Sequence, residues 1–127
     1  MSSSYYLSNQ LADATVRNGS YTGPASVYAA LYSTAPTANT SGTELTGNGY
    51  SRQLVTFSSA ANGVCASNVA VTFGAATGND WPQVKAVGIV DASSSGNILY
   101  FNTISSRNVK IGDTLEFGSG NITVGVL

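Results

Sequence analysis

The chain has 127 residues, 43% of them apolar and only 9% charged, with a formal net charge of −1, whereas an average soluble domain is roughly 25% charged. Ser, Thr, Gly and Asn supply 56 of the 127, a mixture that with Val, Ile, Tyr and Phe favours strands and tight turns over helices, and its apolar content argues against disorder. There is no histidine, Cys65 is alone, and the five basic residues are scattered, so the usual catalytic base and zinc ligand, an internal disulfide and a phosphate-binding surface are all excluded.

Residues 1–6 read as a loose polar arm ending in Tyr5 and Tyr6. Ser8 is placed to cap a helix over Asn9–Asn18, with Leu7, Leu11, Ala14 and Thr15 on one face, Arg17 near its C-terminal end and Asn18-Gly19 as the stop. A helix of about ten residues is marginal alone, so it must dock. Residues 1–18 are therefore set apart as arm and helix from a β-sandwich domain over residues 19–127. In Ala25–Ser33, Val27, Ala29 and Leu31 alternate with Tyr28, Ala30 and Tyr32, the period of a strand. Thr34–Asn48 is a long loop, and its length suggests a contact function.

Tyr50–Phe57 reads as a strand with Val55 and Phe57 on one face and Leu54 on the other. Asn62-Gly63 turns into a strand over Val64–Phe73, in which Val69, Val71 and Phe73 share a face. Ala75–Pro82 is a loop carrying Asp80 and Trp81, and in the buried strand Val84–Asp91 the pair Val87 and Ile89 opposes Val84 and Val90. Ser93–Asn97 is a turn, followed by strands over Ile98–Thr103, Val109–Ile111, Thr114–Phe117 and Ile122–Val126. Short strands separated by turn signals indicate an all-β fold, an antiparallel two-sheet β-sandwich of jelly-roll or immunoglobulin-like kind with a short N-terminal helix.

No pattern of residues carries chemistry. Asp80 beside Trp81, with Asp91 a strand away, is the best carboxylate pair for a glycosidase, but Asp also bonds turn and strand-end backbone, the preferred account of both. Gly47-Asn48-Gly49-Tyr50 lacks the third glycine and the following helix of a nucleotide-binding loop. Saccharide binding through Trp81 and the tyrosines is the lesser expectation, because aromatic rings also fill cores. Arg52 either pairs with Glu44 to fasten the long loop or stands solvated. No enzyme activity, catalytic residue, cofactor or metal is expected. Nucleic acid and membrane are not expected as partners either, since no apolar run approaches the roughly 18 residues of a span and MSSSYYLSNQ lacks the regions of a signal peptide.

The runs VYAALYSTAP, GTELTGNGYSRQLVTF and ATGNDWPQVKAVGIVDASSSGNILYF, with LSNQLADATVRNGSYTGPASVY before them, resemble a family of small virion proteins of tailed bacteriophages, labelled tail-fibre-like or head decoration (capsid cement) proteins. Arg17, Tyr21, Pro24, Leu31-Tyr32, Gly42-Thr43-Glu44, Gly49-Tyr50, Arg52-Gln53, Trp81, Gly88-Ile89, Asp91 and Gly96-Asn97 are among its markers. The resemblance implies a sandwich present in many copies on a particle, without catalysis. It leads to the expectation of a capsid cement protein on the capsid surface of the virion, binding the major capsid protein and stabilising contacts between its subunits. The alternative is a tail-associated fibre, adaptor or receptor-binding protein. A homo-oligomer, dimer or trimer, is expected from open sheet edges and virion symmetry. Tyr5, Tyr6, Leu7, Leu11, Arg17, Glu44, Arg52 and Trp81 are the expected protein-interface residues.

Overall fold

The computed structural model describes residues 1–126. Strand β2 (Val27–Thr34) lies at the centre of the larger sheet, pairing along one edge with β7 (Val84–Val90) and along the other with β3 (Thr43–Glu44) and β4 (Gln53–Val55). Beyond β7 come β8 (Ile98–Arg107) and then β1 (Ser2–Ser3), giving the order β1-β8-β7-β2-β3 with β4 beside β2. Two smaller pairs, β6 (Val71–Gly74) with β9 (Thr114–Phe117) and β5 (Val64–Ala66) with β10 (Thr123–Gly125), complete the fold. All the strand pairings are antiparallel, and the architecture is the all-β sandwich expected of the sequence.

Strand alternation decides what each face buries. Ala29 and Leu31 of β2 and Val87 and Ile89 of β7 point into the core with Val55, Val71, Phe73, Leu115 and Ile122. On the opposite face of the same two strands, Ala30, Tyr32, Ala86 and Val90 form a second buried cluster. The centre of the sheet is thus covered on both sides, which is why β2 and β7 read as nearly continuous apolar runs.

Several elements differ from the expectation. Helix α1 spans Tyr5–Val16 and its cap is Ser4, not Ser8. Ser2 and Ser3 are already paired to Phe101 and Tyr100 of β8, so the chain reaches Ser4 extended, and Ser4 Oγ accepts the Leu7 backbone N–H at 3.2 Å. The same Oγ donates to the Ile98 carbonyl at 2.5 Å, which pins the helix start to the sheet. The long segment 64–73 breaks into β5 and β6, each paired to a different partner. Between them Ser67 Oγ accepts from the Gly120 and Ile122 N–H groups, and Val69 is left 39% exposed, off the Val71–Phe73 face.

In β7 a register shift between Val84 and Ala86 turns Val84 onto the side of Val87 and Ile89, leaving only Val90 opposed. Of Tyr50–Phe57 only Gln53–Val55 is a strand, and Phe57 makes an isolated bridge to Ser67. Val109–Ile111 forms no strand: the Val109 carbonyl accepts the Trp81 N–H at 2.9 Å, the Ile111 N–H goes to the Asp80 carboxylate at 2.9 Å, and Ile111 makes only an isolated bridge to Ala76. Conversely, β8 runs four residues past Thr103, and the loop 34–48 contains β3 and the buried Leu45.

Gly88 exposes how closely the second cluster is packed. A Cβ there would lie 2.9 Å from Tyr32 Cε1 and 3.3 Å from the Tyr100 carbonyl oxygen. Gly88→Ala should therefore destabilise the fold by about 1–3 kcal/mol, read as a lower denaturant midpoint at unchanged m-value. An unshifted midpoint would show that the Tyr32 ring moves aside freely.

Candidate functional site

A single ion pair organises the loops on one side of the sheet. The Arg52 guanidinium meets Glu44 in a two-point contact, Nε to Oε2 at 2.9 Å and Nη2 to Oε1 at 2.8 Å. Its remaining nitrogen, Nη1, donates to the Ala92 and Ser95 carbonyls at 2.8 and 2.7 Å, clasping the turn between β7 and β8. The Tyr50 hydroxyl donates to Glu44 Oε2 at 2.6 Å and accepts the Leu31 N–H of the central strand at 3.0 Å. The pair is largely shielded, with side-chain exposures of 12% for Arg52 and 23% for Glu44.

The electrostatics follow from that geometry. Burial by itself raises the Glu44 carboxyl, but hydrogen bonds from Arg52 and Tyr50 outweigh it and hold the group below its ordinary 4.5. Burial and the neighbouring Glu44 charge push the Tyr32 hydroxyl up to about 12, and burial with the bond to Glu44 raises Tyr50 as well. The Tyr50 ring reaches into the core, stacked on Phe73 at 6.1 Å and edge-on to Trp81 at 5.8 Å. Trp81 in turn donates Nε1–H to the Asn48 carbonyl at 2.7 Å.

Two exposed aromatic side chains stand elsewhere. An open groove of about 430 Å³ lies between the start of α1 and the turns at 37–41 and 96–98. Tyr5 and Tyr6, 58% and 40% exposed, line it from the helix. Thr37, Asn39, Thr40 and Ser41 line it from the loop, and Asn97 from the β7–β8 turn. The loop is fixed from within, by the Thr37–Thr40 bridge and a 2.5 Å contact between their hydroxyls, and to the helix by the Tyr5 N–H donating to the Ala38 carbonyl at 2.8 Å.

The residues singled out from the sequence therefore separate into two groups. Tyr5 and Tyr6 stand at the groove, Leu11 is half-buried beside Met1 and Tyr100, and Arg17 is exposed 3.9 Å from Asp13. Leu7 and Trp81 are buried, and Glu44 and Arg52 are engaged with each other. Tyr50 and Asn97 are markers of the family resemblance, but neither they nor Asn39 are among the expected interface residues. Tyr50 reads as an ordinary strand residue and the two asparagines as turn formers, and only the fold shows what they face. The carboxylate pair separates too: Asp80 accepts from Ile111, while Asp91 accepts from the Asn97 N–H at 2.7 Å and side chain at 3.1 Å. Among the described residues no three His, Cys, Asp or Glu side chains come together.

A β-sandwich whose buried charges hold its own loops, with an uncharged groove at its surface, has the build of a structural module. The family model described as Podophage GP4 fiber I protein gp80 matches residues 2–125. The chain belongs to that family and is a structural protein of the tailed-phage virion. Among curated proteins none matches the chain.

Replacing Glu44 by Gln should cost about 2–3 kcal/mol near neutral pH, less than for a fully buried pair because Glu44 keeps some solvent contact. The pH dependence has a definite sign. A carboxyl held below 4.5 contributes its full stabilisation above that value and loses it as pH falls through the lowered folded pKa. Chemical denaturation across this acid range should show the wild type losing stability more steeply than Glu44→Gln. Parallel curves would remove the ion pair from the account.

Proposed function

We propose that the protein is a non-catalytic building block of the phage tail, a globular unit of a fibre or of the place where a fibre attaches. The observation that supports this reading most is the match to a family whose description names a fibre protein, extending over the helix and every strand from β1 to β10. Nothing in the chain repeats at the period of about 20–50 residues that builds solenoids and other repeat arrays. A compact sandwich of this kind suits a joint, not a shaft.

Assembly with copies of itself, as a dimer or trimer, belongs to the same proposal. Strand β8 is paired with β7 on one edge, whereas β1 covers its other edge only at Tyr100 and Phe101. Its outer edge from Asn102 to Arg107 offers backbone groups to a strand from a neighbour. The low charge favours such packing, since few ions must be stripped of water on contact. That same hydroxyl-rich surface also suits a cement protein seated on the major capsid protein at the capsid surface, where energy resides in neutral contacts along seams.

A cryo-electron-microscopy reconstruction of the intact particle separates the two. Density for this chain confined to the tail, and a gel band far weaker than the major capsid protein, is the expected result. Density repeated over the shell between capsomers, with a band near parity, would overturn the tail reading in favour of cement.

A further inference from the structure

We propose that the groove between Tyr5, Tyr6 and the turns at 37–41 and 96–98 is a binding site for a neutral saccharide. Its volume of about 430 Å³ falls within the roughly 300–1,000 Å³ of small-ligand sites. None of its lining residues is charged, so nothing in it selects a phosphate, a carboxylate or a cation. Two large rings are left in water on one wall, Tyr5 at 58% and Tyr6 at 40% exposure. The other walls carry the hydroxyls and amides of Thr37, Asn39, Thr40, Ser41 and Asn97, with Ile98 among them.

A pyranose matches both kinds of surface. Its C–H faces pack on aromatic rings, and its rim of hydroxyls donates and accepts hydrogen bonds. The groove holds capacity for such bonds. Asn39 uses Oδ1 to accept from Thr37, and its NH₂ has no partner among the described residues. Asn97 gives its NH₂ to Asp91 at 3.1 Å, leaving its Oδ1 without one among the described residues. A purely apolar ligand would bury these groups unpaired, which is costly.

The walls are also set in advance. Arg52 clasps Ala92 and Ser95, which positions the turn carrying Asn97, and the Thr37–Thr40 bridge with the Tyr5–Ala38 bond holds the opposite loop against the helix. A ligand entering here has little chain to order, so even a modest set of contacts gives measurable affinity. The groove belongs to the single chain, wherever in the virion that chain sits.

The test is titration of the ¹⁵N-labelled full chain with glucose, galactose, rhamnose, N-acetylglucosamine and their oligomers, and with a sulfated oligosaccharide as anionic control. The expected result is a saturable response to at least one neutral sugar, at the amides of Tyr5, Tyr6, 38–41 and 96–98. Tyr5→Ala and Tyr6→Ala should each weaken binding about tenfold, with an unchanged melting temperature because both rings are exposed. Tyr5→Phe should retain most of the affinity. Absence of any saturable response, a response mapping to another surface, preference for the sulfated sugar, or undiminished binding by the double alanine variant would each overturn the proposal. The first of these would leave the groove to a protein segment.

Discussion

The contact on which most of the loop structure depends is the meeting of Glu44, Arg52 and Tyr50. Removing two opposite charges from water is favourable only when their remaining donors and acceptors are satisfied. Here they are: Arg52 uses three nitrogens on four acceptors, and Glu44 receives three hydrogen bonds. Tyr50 links the pair to the core, with its hydroxyl on the Leu31 N–H and its ring against Phe73 and Trp81. In a chain with only 9% charged residues, committing one pair to this position ties three otherwise independent segments to the central strand.

The same pair explains why a groove exists at all. One wall follows from β2 and returns to Glu44 in β3, and another is the turn whose carbonyls Arg52 holds. The third, the start of α1, is fixed by Ser4, whose hydroxyl both caps the helix and donates to Ile98. The helix buries little besides Leu7, so its position depends on this polar anchoring and on β1. Many of the residues that carry the family resemblance, among them Leu31-Tyr32, Glu44, Tyr50, Arg52 and Gly96, lie at or beside this junction.

A virion protein gains from such a design. Contacts between proteins in an assembled particle can each be modest when several act together. What each copy must supply is a surface that does not rearrange. Neutral, hydroxyl-rich surface loops would ordinarily be mobile, and here the ion pair and the serine cap supply the order that the weak apolar content of those loops cannot.

The strands were legible in the sequence where burial is one-sided or complete over several residues. The apolar runs in Val27–Thr34 and Val84–Val90 each favour a strand, and turn residues such as Asn62-Gly63 favour a reversal, because these are local steric and solvation constraints. The pairing of Arg52 with Glu44 was also within reach, as one of few opposite charges near the long loop. Tertiary structure alone decided the rest. Ser4 displaced Ser8 as the cap because β1 had already extended the chain, and residues 64–73 divided because β9 and β10 compete for different halves. Trp81 went to the core and Tyr5 to the groove although both are aromatic residues in polar surroundings. Such choices depend on which partner comes alongside from far along the chain, and no periodicity within a segment encodes that.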